Sequence, residues 1–289
     1  MCPTITAITT YVQQQLDVCC PWTVHSVYKK TVNLQAGERL LALQAASSPM
    51  SPISMLTDME PRDFEALPVQ PGQQVSLSRG RIHISPLESP VTFLFRPKEV
   101  QSTRLTSPPS QFPRDELLSQ IQQAINGSQA GIFRLLFSDS TDRQAVKPGG
   151  EYSLILTAAQ NRIRQCGTGL EQGMWGDAAQ SLAGLIGLGI GLTPSGDDFL
   201  CGVLAGLILR GKEKHPFALS LRGEITSRRF DTNDISRAFL DCSVQCHFSP
   251  AVNSLADLPS AEGILKVFSA IGHSSGIDTL CGVAYGLSI

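Results

Sequence analysis

The 289-residue chain reads as an α+β protein, with a β-rich barrel or sandwich followed by a mainly α-helical domain that carries a repeated glycine-rich helix motif. Three observations predict this. Residues from about 20 to 100 alternate apolar and polar side chains in the manner of half-buried strands. A proline-rich stretch at 106–113 then marks a change of texture, after which apolar residues recur at helical spacing. Finally, S-G-D-D-F-L-C-G-V-L-A-G-L at 195–207 returns as S-G-I-D-T-L-C-G-V-A-Y-G-L at 275–287, with Ser, Gly, Asp, Leu, Cys, Gly, Val, Gly and Leu in register at an offset of 80 residues. The expected division is a β-rich domain at 1–105, a linker at 106–113 and a helical domain at 114–289.

Within the first domain, residues 23–28 and 31–34 read as strands, and Ala36, Gly37 and Glu38 turn the chain into another at 39–44. Residues 74–78 and 81–84 flank Arg79 and Gly80, and 91–95 is a short apolar run. Prolines at 49, 52, 61, 68, 71, 86, 90 and 97 exclude long helices here. In the second domain, Leu117, Leu118, Ile121, Ala124 and Ile125 form a helical stripe over 114–125, stopped by Asn126 and Gly127. Further helices are expected over 152–163, 176–186, 199–209, 235–246, 262–271 and 280–287.

Composition narrows the function. A balance of 42% hydrophobic and 17% charged residues can build an ordinary core, and a net charge of −2 without long basic clusters argues against a nucleic-acid partner. The apolar runs at 182–192 and 199–209 are too short to span a bilayer, and the first dozen residues lack the pattern of a secretory signal, so a cytoplasmic protein is expected. The eight cysteines, Cys19 among them, lack paired zinc spacing. Cys242, Cys246 and His247 form the one cluster resembling metal ligands, with the two thiols expected on one helix face; core cysteines on an amphipathic helix explain it equally well. No metal ligand is assigned.

The repeat directs attention to the helix starts. Ser195 fits an N-cap with Asp198 in the first turn, and Ser275 with Asp278 has the same spacing; capping alone would explain all four. It does not explain the approach, since residues 187–196 hold four glycines, Gly187, Gly189, Gly191 and Gly196, and each costs backbone entropy unless close contact or left-handed backbone requires it. A glycine-rich loop entering a helix offers N–H groups to an anion such as phosphate. Asp197 and Asp198 repel a bare anion and call instead for Mg²⁺ or the NH₂ of an amide or carbamoyl group. The expected site has Asp197, Asp198 and His273 as catalytic residues. Gly189, Gly191, Thr193, Ser195, Gly196, Ser275 and Asp278 are its ligand contacts. His273 occupies the place equivalent to Thr193. Gly202 with Gly206 and Gly282 with Gly286 should let the repeated helices pack closely. If the helices run the same way their starts converge on one cavity; run oppositely, the starts lie about 20 Å apart.

G-L-T-P-S-G-D-D-F-L-C-G at 191–202, G-H-S-S-G-I-D-T-L-C-G at 272–282 and the opening H-S-V-Y-K-K-T-V-N-L at 25–34 together resemble a bacterial family that includes the AllH-type subunit of oxamate carbamoyltransferase. The resemblance covers almost the whole chain. It implies partnership with an FdrA-like protein and a second uncharacterised subunit, in a complex of anaerobic purine and allantoin breakdown that turns oxalurate and phosphate into oxamate and carbamoyl phosphate. Ser102, Thr103 and Arg104 are similar to the S-T-R phosphate motif of aspartate and ornithine carbamoyltransferases, but the rest of that pattern is missing. Two other readings stand beside the small-molecule enzyme subunit. One is a noncatalytic scaffold or regulatory subunit. The other is a Mg²⁺-dependent hydrolase, because G-I-D-T at 276–279 faintly resembles motifs of ADP-ribosylglycohydrolases.

Overall fold

A computed structural model describes residues 2–16, 20–78, 80–85, 90–137 and 152–289. Arg79, Pro86 and Cys19, used above, lie outside the described residues. The chain divides into two compact units, Met1–Arg104 and Leu105–Ile289.

The first unit is a closed eight-stranded barrel. Its strands are β1 (Thr4–Thr9), β2 (Trp22–Tyr28), β3 (Thr31–Ala36), β4 (Arg39–Gln44), β5 (Ser54–Thr57), β6 (Gln74–Ser78), β7 (Arg81–Ser85) and β8 (Val91–Gln101). The order around the barrel is β1-β5-β4-β3-β2-β6-β7-β8. Closure comes from β1, which pairs antiparallel with β5 and parallel with β8, so neither sheet edge is left unpaired. The expected turn at Gly37 joins β3 to β4, with Ala36 opposite Arg39 and Gly37 at φ 59°. Trp22, Leu41, Met55, Ile82 and Phe93 are among the buried core residues that hold the strands together. Two short helices, α1 (Thr10–Gln15) and α2 (Pro61–Glu65), decorate the connections.

The second unit is helical. It comprises α3 (Arg114–Gly127), α4 (Arg134–Phe137), α5 (Ser153–Glu171), α6 (Trp175–Ala183), α7 (Ser195–Leu209), α8 (Pro216–Ser227), α9 (Asp234–Val244), α10 (Pro250–Asn253), α11 (Ala261–Ser269) and α12 (Ser275–Ser288). The sequence places seven of these but not the four-residue α4 and α10, too short to show a period, nor α8, whose apolar stripe of Phe217, Leu221 and Ile225 went unread. Helix α9 ends at Val244, and Cys246 follows it with a φ of 63°, so Cys242 and Cys246 do not share a helix face as expected. No described helix is long and apolar enough to cross a membrane.

Helix α7 is apolar on all sides and buried almost throughout, which makes it the axis of this unit. Its partner is α12. A Cβ on Gly202 would land on the carbonyl oxygen of Thr279 and 2.9 Å from Gly282 Cα; one on Gly282 would land on Phe199 O and 2.9 Å from Gly202 Cα. Gly206 and Gly286 repeat this one turn later. Each residue meets its own counterpart in the repeat, so the helices run in the same direction and their N-termini lie side by side. The glycines let two backbones touch where any side chain would part them.

Candidate functional site

The loop before α7 has three left-handed residues, Gly187, Gly189 and Gly191, with φ of 74°, 136° and 96°. A side chain at Gly187 would press on Asp231 O, and one at Gly189 on Ser195 N. Asp197 fixes this loop: its Oδ1 accepts from Gly187 N at 2.9 Å, and its Oδ2 from Thr232 Oγ1 at 2.6 Å and Ser236 Oγ at 2.7 Å. Asn233 Nδ2 adds a bond to Leu192 O at 3.0 Å. Burial raises the Asp197 pKa, and these three donors oppose the rise. Both oxygens of Asp197, expected as a catalytic group, are engaged in holding the loop to the start of α9. Thr232 and Ser236 were not foreseen, because their tie to the repeat exists only in three dimensions.

The serines do not cap. The N-caps are Pro194 and Ser274, neither with a side-chain capping bond, and Ser195 and Ser275 are the first residues of their helices. Five of the helix-start amides are already bonded within the chain. Gly196 N donates to Leu188 O at 2.8 Å, Gly276 N to Ile271 O at 3.1 Å, Asp197 and Asp198 N to Pro194 O at 2.9 and 3.2 Å, and Asp278 N to Ser274 O at 3.0 Å. The tight approach that requires glycine at both starts is to backbone: a Cβ on Gly196 would strike Leu185 O, and one on Gly276 would strike Phe268 O. Those five amides are spent on the chain itself, which a phosphate-binding loop would hold free for its anion.

What converges between the helix starts is a set of hydroxyls and carboxyls. Thr193 Oγ1 and Ser275 Oγ are 2.7 Å apart, joining the two loops directly. Both hydroxyls face Asp198 and favour its ionised form, whereas Ser195 faces Asp278. The arrangement is crosswise, with each aspartate attended by the serine of the other copy. Asp278 Oδ1 also accepts from Phe133 N at 2.8 Å, delivered by the loop ahead of α4. That loop passes so close that a Cβ on Gly131, at φ 87°, would sit 2.7 Å from Ile277 Cγ2. Ser195, Asp198 and Asp278 are only 1%, 8% and 0% exposed, yet Ser195 Oγ, Asp198 Oδ2 and Asp278 Oδ2 lack a well-formed hydrogen bond. Burial pushes the Asp278 carboxyl up to about 6. Asp198 is driven well above the usual carboxylate range by burial first and by the charge of Asp278 second.

His273 is exposed, and among the described residues no hydrogen bond or ion pair ties it to the acids. Gly189 and Gly191 shape the loop. Among the described residues, no three His, Cys, Asp or Glu side chains are arranged to hold a metal ion, and the cluster of Cys242, Cys246 and His247 is no exception. Cys246 Sγ instead meets Arg222 Nη2 at 3.2 Å and Glu213 Oε1 at 3.5 Å.

Two family models match the chain. Residues 185–287, which hold both helix starts, match the oxamate carbamoyltransferase subunit AllH, and residues 5–96, the barrel, match the AllH family N-terminal domain. The chain belongs to the AllH family. Its place as a carbamoyltransferase subunit follows from that membership. No solved structure matches the chain.

Proposed function

We propose that this AllH-family chain works in a cytoplasmic oxamate carbamoyltransferase-like complex of purine and allantoin degradation, with an FdrA-like protein and a second uncharacterised subunit. The complex converts oxalurate and phosphate into oxamate and carbamoyl phosphate. In this reading the paired starts of α7 and α12 bind the small-molecule ligand, with the carbamoyl end against Ser195, Asp198, Ser275 and Asp278.

The observation that carries the proposal is the set of buried oxygens, Ser195 Oγ, Asp198 Oδ2 and Asp278 Oδ2, that lack a well-formed hydrogen bond where two copies of one motif meet. Burying polar atoms unbonded costs about 1 to 3 kcal/mol each, and a ligand rich in N–H groups would remove that cost. A carbamoyl NH₂ is such a donor, whereas phosphate would meet carboxyls where it needs amides. The glycine contacts between α7 and α12 would suit a noncatalytic scaffold equally; the orphaned oxygens favour a ligand site.

The test is to purify the chain alone and with its genomic neighbours and to assay phosphate-dependent cleavage of oxalurate. Activity in the assembly, lost when this chain is left out, supports the proposal. An assembly equally active without it sinks the proposal.

A further inference from the structure

Asp198 and Asp278 occupy equivalent positions in the repeat, and the same-direction packing of α7 and α12 brings them together at the paired helix starts. They interact electrostatically, each has an Oδ2 atom shut away from solvent without a hydrogen bond, and each faces the other copy's serine. Among the described residues, neither forms an ion pair with a cation. The charged and titratable groups around them are few: Asp197 and Cys201 on α7, Cys281 on α12, and Arg134 on α4, whose charge acts on Cys281 and whose Nε is itself buried without a partner. Two buried carboxylates brought to one place, neither held in an ion pair among the described residues, disfavour joint ionisation. A single proton held between them removes the repulsion and gives one orphaned oxygen a hydrogen to donate.

Building on the function proposed above, we propose that Asp198 and Asp278 form a proton-sharing carboxyl pair that accepts and returns a proton at the carbamoyl group of a ureido substrate. The backbone N–H of Phe133 on Asp278 Oδ1 favours negative charge at that end of the pair, and Asp198, which its burial and the charge of Asp278 hold toward the neutral form against the pull of its two hydroxyls, carries the proton. In the forward step an oxygen of hydrogen phosphate bonds to the carbamoyl carbon, and the phosphate proton passes to the ionised carboxyl. The bond from that carbon to the oxamate nitrogen breaks as the protonated carboxyl delivers its proton to the nitrogen. Oxamate and carbamoyl phosphate leave, the pair ends with the one proton it began with, and nothing is oxidised or reduced.

The pair is read directly by following aspartate carboxyl carbons in the isotope-labelled full chain by NMR as a function of pH. The expected result is one protonated aspartate at pH 7, with Asp198→Asn or Asp278→Asn lowering the midpoint of the remaining carboxyl by about one pH unit or more. Full ionisation of both by pH 7 in the unaltered chain overturns the pair, and that spectrum requires no variant to fold. Independent midpoints in the variants overturn it too. In the assembled complex each variant should lower kcat by about 10² to 10⁴-fold with little change in KM for phosphate. If the complex cleaves oxalurate and neither variant slows it, the proton role is wrong while the subunit assignment survives. If the unaltered complex shows no cleavage, the subunit reaction fails, and the carboxyl titration still decides the pair.

Discussion

Asp197 holds Gly187, Thr232 and Ser236 through three hydrogen bonds, which separates its replacement from that of its neighbour Asp198. Asp197→Ala leaves three donors without an acceptor and should cost about 3 kcal/mol in denaturant unfolding, with the loop at 187–194 becoming a preferred site of proteolysis. A loss under about 0.5 kcal/mol, typical of an unremarkable surface change, would contradict the anchoring role. Asp278 makes the opposite prediction. Its folded pKa of about 6 lies above the ordinary 3.8, so between those values the folded state binds more protons than the unfolded one. Its contribution to stability is therefore full below pH 3.8 and lost as pH rises to about 6, a difference of about 3 kcal/mol. Thermal melts from pH 4 to 7.5 should show the unaltered chain losing ground to Asp278→Asn across that window; parallel curves would refute it. The repeat made Ser195, Asp198, Ser275 and Asp278 legible from sequence. The Phe133 amide, Thr232, Ser236 and Arg134 were not, since they reach the site from other elements and share no spacing with it. The exposure of His273 was not legible either, since its place in the alignment of the copies says nothing of where its ring goes.

At the scale of the element, the contact between α7 and α12 depends on the absence of side chains. Gly202→Ala and Gly282→Ala each put a methyl group onto a carbonyl of the facing helix, and the backbones must separate. Overpacking of this kind costs about 1 to 3 kcal/mol, and it should also disturb the Thr193–Ser275 bond at the helix starts. The comparison is Gly223→Ala on α8, where an added Cβ meets nothing within 4 Å and helix propensity favours alanine by about 1 kcal/mol. Calorimetry should lower Tm for the first two and leave the third unchanged or raised. Equal effects at all three would show that propensity, not contact, governs these glycines. Helix pairing was legible because the motif carries its own packing signal. Strands β1 and β5 were not foreseen, the first lying outside the stretch read as strands and the second being four residues set among prolines. A strand this short takes its identity from its neighbours, here parallel pairing with β4 and antiparallel pairing with β1.

For the whole molecule, every side chain assigned to the site lies in the unit Leu105–Ile289, which has its own buried core. Residues 105–289 produced alone should therefore retain the aspartate titration of the full chain, and its loss would show that the barrel shapes the site. The two-part architecture was readable from the shift between strand and helix periodicity, while barrel closure was not, because it rests on β1 and β8 pairing across the length of the unit. The central claim is that two copies of one motif make a single site from Asp198 and Asp278. The most direct measurement is a double-mutant cycle, with Asp198→Asn, Asp278→Asn and both together assayed for phosphate-dependent oxalurate cleavage in the reconstituted complex. Acting as a unit, the pair predicts that the double variant is no slower than the worse single one. Losses that multiply, as for two unconnected residues, would contradict it.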